Sequence, residues 1–363
     1  MVTDGHLTQL QLYDAFVRRK RLVLVIAFLA TIVVALYAIS AGSLNIPMSE
    51  VIKTLVGKGE AQAKMVISGI RLPRVVAAVV VGAALAVAGA VMQCVLQNPL
   101  ASASTLGVSQ GAAFGAALGI IVFGGGVVNS DSAATAITIN NPYIVTLCAF
   151  FMGSVSTVVI ILISQLKKDL GPGGLILAGV ALASLFSGGS TLLQYFADET
   201  KISSVVFWTF GNLGSAGWTE LLILTIVLLV ALTYFMLNRW NYNAMESGAD
   251  TAKSLGVNTR AVTLISMGIG SLTAAVAVSF VGIINFVGLV APHIMRRFVG
   301  NDYRYLIPSS AVAGALLLIL ADTFGRLIIA PVILPIGAIT SFLGAPMFLY
   351  LLFKGGGKTY DRS

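Results

Sequence analysis

Charge is scarce in this chain. Of its 363 residues only 10% are Asp, Glu, Lys or Arg, against 57% hydrophobic, and the mean hydropathy is +0.95. No soluble domain of this length could hide so much apolar surface, so a polytopic membrane protein is expected. Cysteine is nearly absent: Cys94 and Cys148 both lie inside hydrophobic runs. They read as small buried apolar residues and support neither a disulfide nor a metal site. Strand-like alternation is missing too, and the 38 glycines suit closely packed membrane helices rather than a β-barrel.

The groups that would make an enzyme are also wanting. The two histidines are His6 in the polar tail and His293 near the end of a hydrophobic run. Neither has a spaced partner for metal or nucleophilic work. His293, after Pro292, reads as a helix-end hydrogen-bonding group. Gly357-Lys358-Thr359 looks like the end of a phosphate-binding loop, but Leu352 stands where that motif needs its first glycine and no strand precedes it. Apart from Asp322 the runs hold no clear mid-membrane carboxylate to relay protons. Neither catalysis nor a cofactor is expected. A carrier or channel working alone, the rival class, would need intramembrane ionisable groups that the chain lacks.

What is present is a series of ten apolar runs, each near the roughly 20 residues a bilayer core requires. They fall at about 22–42, 75–97, 107–125, 143–165, 173–196, 219–238, 261–280, 282–297, 306–328 and 335–353. Residues 1–21 form a polar leading segment and 355–363 a tail. Arg18-Arg19-Lys20-Arg21 before Leu22–Ser40 has the polarity of a signal peptide, but the apolar core is too long. It reads as a retained first span, with Leu7–Val17 a separate amphipathic helix on the inner surface. With the amino terminus inside, fifteen of the Lys and Arg residues fall inside and seven outside. The positive-inside rule then puts both termini in the cytoplasm. The net charge of +8 therefore reports topology and gives no reason to expect nucleic acid.

Four local features stand out. Arg239–Arg260 is the longest polar interruption in the second half, with two short helices expected at Ala244–Ser247 and Thr251–Leu255, a hinge at Gly248 and a cap at Gly256. Such a folded, water-facing element suggests a docking surface. Outside, Pro47-Met48-Ser49-Glu50 begins a short helix through Leu55, and Arg71-Leu72-Pro73-Arg74 stands at the mouth of the second span. Gly82, Ala86 and Ala90 in the second span, and Gly179, Ala183 and Ser187 in the fifth, form small-residue faces for close helix approach. Ser184, Ser190, Thr191 and Gln194 either bond to carbonyls of their own helix or line a wet path. Likewise Asp322 and Arg326, four apart, are either an ion pair or leave Arg326 facing outward beside Arg71 and Arg74.

Several segments resemble one family. They are Ile70-Arg71-Leu72-Pro73-Arg74, Gly89-Ala90-Val91-Met92-Gln93, Asn98-Pro99-Leu100-Ala101 and Leu106-Gly107-Val108-Ser109. Later come Phe286-Val287-Gly288-Leu289-Val290-Ala291-Pro292-His293, Leu334-Pro335-Ile336-Gly337 and Gly344-Ala345-Pro346. By these motifs the chain, over about residues 22–354, resembles FecCD-type permease subunits of ATP-driven importers for iron-siderophore, haem and cobalamin. The resemblance implies an all-α fold of about ten spans like the cobalamin importer's permease, paired as a homodimer in the cytoplasmic membrane. It implies two ATPase subunits docked on the cytoplasmic element, here Ala244, Met245, Glu246, Ser247, Gly248, Ala249, Asp250, Ala252, Leu255 and Gly256. It implies a solute-binding protein held outside by Arg71, Arg74 and Arg326. The fifth and tenth spans would line the path, with Ser184, Ser187, Thr191, Gln194, Thr340 and Ser341 facing it. An iron-siderophore is the first expectation for the cargo, with haem, cobalamin and molybdate as alternatives. One departure is Ser102-Ala103 where the family commonly has an acidic residue and proline, from which a looser turn into the third span is expected.

Overall fold

The computed structural model describes residues 9–42, 46–125, 127–128, 137–138, 141–167 and 171–355. Fifteen α-helices run through them. The first five are α1 (Gln9–Ser40), α2 (Met48–Leu55), α3 (Ala61–Val66), α4 (Leu72–Val95) and α5 (Val108–Ala117). Next come α6 (Pro142–Leu166), α7 (Pro172–Tyr195), α8 (Glu199–Thr209), α9 (Trp218–Leu237), α10 (Arg239–Glu246) and α11 (Ala249–Ser254). The last four are α12 (Thr259–Val281), α13 (Val287–Val299), α14 (Tyr303–Leu327) and α15 (Ile336–Gly355). Seven helical stretches among the described residues are long and apolar enough to cross a membrane, and the α5 and α15 regions are shorter but apolar. With the short α13, these match the ten expected runs in order. The only strands among the described residues are Val127–Val128 and Ile137–Thr138, an antiparallel pair in the long loop before α6.

Two boundaries depart from the sequence reading. From Gln9 on, the expected separate helix Leu7–Val17 is the start of α1, which runs unbroken to Ser40. No Gly or Pro interrupts that stretch, and its Arg and Lys residues are good helix formers. The second span also starts earlier than expected, because a π turn over Ile67–Arg71 joins α3 to α4 in one rod. The wider turn leaves room for the ring of Pro73, which would otherwise meet the carbonyl one turn back.

Helix α4 is the axis of the bundle. Nearly all of it is buried, whereas α1, α7 and α9 leave most of their surface to the surroundings. Small residues explain how α4 can be enclosed. A Cβ on Gly82 would strike the Gly314 carbonyl of α14, and one on Gly89 would strike the Gly288 carbonyl of α13. With no hydrophobic drive in lipid, such backbone approach supplies the dispersion contact that holds helices together. The same device seats α5 on α6, where Gly115 faces the Cys148 carbonyl.

Between α12 and α13 the chain leaves the helical conformation over Gly282–Phe286, buried or half-buried inside the bundle, with Gly282 at φ +76° and Phe286 at φ +65°. Non-helical backbone at such depth needs protein partners. Asn212 donates its N–H to the Val281 carbonyl at 2.7 Å, and Gly337 donates to the Phe210 carbonyl at 3.0 Å. These bonds tie the residues after α8 to the end of α12 on one side and to the start of α15 on the other.

Candidate functional site

The polar interruption folds as α10 and α11. Helix α10 starts at Arg239, earlier than the expected Ala244, because Tyr242 and Met245 lie one turn apart and both bury inward. Tyr242 shares a 2.8 Å hydrogen bond with the Ser266 hydroxyl, and Gln97 donates to the Met245 carbonyl at 3.1 Å. Burial raises the Tyr242 phenol well above its ordinary value. Gly248 joins the helices at φ +110°, a conformation that L side chains rarely adopt. Helix α11 ends as expected near Gly256, in a Schellman motif: Gly256 donates to Lys253 at 2.9 Å and Val257 to Ala252 at 3.0 Å. Ala252 and Met245 anchor the pair, Ala244, Glu246 and Gly248 are half-buried, and Ser247, Ala249, Asp250, Leu255 and Gly256 are exposed.

The same element is bolted to the turn between α13 and α14. Asn243 donates to Asp302 at 3.1 Å and accepts from the Tyr303 N–H at 2.8 Å. Asn301 donates to Glu246 at 2.6 Å. Tyr303 donates to Glu246 at 3.4 Å and accepts from Arg296 at 3.1 Å. Asp302 is gripped by Arg304 at 2.7 Å and reached by Lys20 of α1 at 3.9 Å. Burial works to raise the Asp302 carboxyl. The hydrogen bonds from the Arg304 and Asn243 side chains and the Arg304 N–H outweigh it and hold the group below the usual carboxylate range. Sequence reasoning missed this network. The pairing of Asn301-Asp302 with Asn243 and Glu246 has no local signal, although a polar Gly-Asn-Asp turn facing a polar helix offered the ingredients.

The three arginines gather at the opposite end. Along α1, Lys20 lies near Asp302 and Ala38 touches Arg326, a separation of about 27 Å at 1.5 Å per residue. They do not stand free as outward forks. Arg326 pairs with Asp322 at 2.9 Å and donates to the carbonyls of Ala41 and Ala38, each at 3.0 Å. Arg74 pairs with the other oxygen of Asp322 at 2.8 Å. Arg71, buried, donates to the carbonyls of Ile39 and Ser40 at 2.8 and 2.7 Å. So the ion-pair alternative for Asp322 is the one realised, and the outward-facing alternative for Arg326 is not. The reason is energetic: near the apolar interior a guanidinium gains more from a carboxylate and helix-end carbonyls than from projecting alone.

The hydroxyls on α7 and α15 serve their own helices. Ser184 donates to Val180 and Thr191 to Ser187, each at 3.0 Å, and Gln194 to Ser190 at 3.2 Å. Thr340 and Ser341 both donate to Gly337, at 3.1 and 2.8 Å. Ser184, Ser187 and Thr191 share one exposed face of α7 with Leu177 and Val180, whereas Thr340 is buried. Hydrogen bonds do not bring the α7 and α15 sets together among the described residues.

Two smaller expectations change. The Ser102-Ala103 turn is closed, not loose. Ser102 N–H donates to the Thr105 hydroxyl at 2.9 Å, Thr105 N–H returns to the Ser102 hydroxyl at 3.4 Å, and Ser156 holds the Leu106 carbonyl at 2.7 Å. His293 sits within α13 and makes no side-chain hydrogen bond among the described residues, so it is not the helix-end donor expected. The loop-like Gly357-Lys358-Thr359 lies outside the described residues, as does His6.

A bundle of membrane-length helices with a folded polar element at one end is the architecture of a multi-pass transport permease. The chain belongs to the FecCD transport family, whose profile matches residues 29–354, and is an ABC importer permease of that family. It is 51% identical over 344 residues to an ABC transporter permease protein of Methanocaldococcus jannaschii, covering 95% of this chain and 97% of that one. It is 34% identical to the Fe(3+)-citrate import system permease of Bacillus subtilis, covering 92% and 96%. It is 36% identical to the hemin transport system permease of Yersinia pestis, covering 78% and 82%. Among solved structures, a metal-chelate type ABC transporter in an inward-facing conformation superposes with a TM-score of 0.78 at 30% identity, covering 91% of this chain and 98% of that one.

Proposed function

We propose that this permease moves an iron complex, a ferric siderophore or related chelate, inward across the cytoplasmic membrane, driven by ATP hydrolysis in separate subunits. The observation that carries the reading is the α10–α11 element: folded, closed at Gly256 by its Schellman motif, anchored in the bundle by Tyr242, Met245 and Ala252, and exposed over Ser247, Asp250 and Leu255. A bare connection needs only a few residues, so a rigid polar platform suits a partner that pushes on it. In this reading two ATPase subunits dock there, and the termini lie on the same cytoplasmic side. A second copy of the chain completes a homodimer along the exposed face of α7, with α15 beside the path. A solute-binding protein docks at the end of the bundle where Arg71, Arg74 and Arg326 gather around Asp322 and the end of α1. The receptor supplies affinity, which fits a path without fixed charge. The iron cargo rests on the names of the relatives; haem, cobalamin and molybdate are the alternatives.

The test is substrate-stimulated ATPase activity of the complete transporter with its receptor, assayed against ferric siderophores, ferric citrate, haem and cobalamin, alongside Gly248→Pro. Proline cannot adopt φ +110° and lacks the N–H that Gly248 gives to Met245. Stimulation by one ligand, lost in an assembled variant, supports the reading. Uptake without any ATPase subunit would sink it.

A further inference from the structure

Helix α14 carries an acid at each end, and each acid is the hub of a different network. At one end Asp302 caps the helix, accepting from the Arg304 N–H at 3.1 Å, and ties it to Asn243 of α10 and Lys20 of α1. At the other, Asp322 holds Arg74 of α4 and Arg326, and Arg326 grips the Ala38 and Ala41 carbonyls at the end of α1. Twenty residues separate the two acids, about 30 Å of helix. The proline inside this helix, Pro308, is followed by Ser309, whose hydroxyl donates to the Tyr305 carbonyl at 2.6 Å. Along its length α14 is pressed on α4 through the Gly82–Gly314 contact, which leaves no slack between them.

We infer that α14 is the strut that carries the state of the α10–α11 platform to the arginine end, with Asn243 and Asn301 as the positioning residues that latch the platform to it. The latch is short and stereospecific. Asn243 uses its amide oxygen and nitrogen on consecutive residues, Tyr303 and Asp302, while Asn301 and Tyr303 share the two oxygens of Glu246. Displacing α10 must either break these bonds or drag the head of α14. Packed contacts of this kind switch between discrete arrangements rather than bend continuously. A strut couples both ways: what ATP does to receptor affinity at the arginine end, the receptor does to nucleotide affinity at the platform end, by the same factor.

The inference rests on the importer reading above, and its test separates the two. The full transporter, permease with its ATPase subunits in lipid nanodiscs, is titrated with its receptor in the presence and absence of a non-hydrolysable ATP analogue. Asn243→Ala and the milder, exposed Asn301→Ala are compared with wild type, and co-purification of the ATPase subunits confirms assembly. The expected result is a nucleotide-dependent shift in receptor Kd in the wild type that shrinks about tenfold in Asn243→Ala and partly in Asn301→Ala. Should Asn243→Ala fail to assemble, Asn301→Ala decides. A shift within twofold of wild type in assembled variants would overturn the strut while leaving the importer reading standing, as would a wild type that imports with ATP yet shows no shift. A wild type whose uptake ignores ATP would overturn both.

Discussion

Removing the Asp322 carboxylate is the most incisive perturbation of the fold itself. Its side chain is 2% exposed, with Arg74 at 2.8 Å and Arg326 at 2.9 Å, themselves 11% and 9% exposed. With charge centres about 4 Å apart and an effective dielectric constant of about 20, each pair attracts by roughly 4 kcal/mol, most of it offset by desolvation. The intact cluster therefore adds little net stability. In Asp322→Ala, however, Arg326 falls back on the Ala38 and Ala41 carbonyls while Arg74 loses its only charged partner among the described residues. Leaving a buried charge uncompensated costs about 3–5 kcal/mol. Replacing the other member too, Asp322→Ala with Arg74→Met, removes one orphaned charge and should recover a substantial part of that loss. Equilibrium unfolding of the purified permease in lipid–detergent bicelles would measure all three proteins. Asp322→Ala within 1 kcal/mol of wild type, or a double variant less stable than the single one, would refute the argument.

Three further outcomes are expected. Gly89→Val, whose side chain would meet the Gly288 carbonyl, should fail to accumulate as folded protein, whereas Gly171→Ala, with nothing within 4 Å, should melt within about 1 °C of wild type; equal yields and melting temperatures would refute the close-approach account. Gly188 lies on the exposed face of α7 with open space around a Cβ built there, so Gly188→Leu should leave the fold intact yet abolish dimerisation and uptake, read by light scattering and radiolabelled-iron transport; a dimeric, active variant would move the two-fold axis elsewhere. Because Asp302 is held below the usual carboxylate range, its contribution is fully present at neutral pH and lost only as pH falls through that lowered value. The stability gap between wild type and Asp302→Asn should therefore stay constant from about pH 6 to 8 and close in acid; a gap that closes near neutrality would contradict the assignment.

Much of the architecture was legible in the residues. The ten apolar runs fell in order on ten of the fifteen helices, seven of the stretches long enough to cross a membrane, because hydropathy records solvation along the chain and needs no knowledge of neighbours. Gly82 and Gly179 announced close approach, Gly248 and Gly256 announced the breaks around α11, and Pro47 announced α2, since each depends on a local steric rule. Even the hydroxyls of α7 followed the local option, their own helix's carbonyls. What the sequence could not choose was partners for its polar groups. Arg71, Arg74 and Arg326 were chemically equal candidates for an outward role, and only the packing of α14 along α4 set Asp322 between two of them, one 248 residues away. Likewise Asn243 became a latch because folding delivered the α13–α14 turn to α10. Apolar residues need only leave water, so their pattern is readable in one dimension; a buried charge needs a particular neighbour at about 3 Å, and that is fixed only in three.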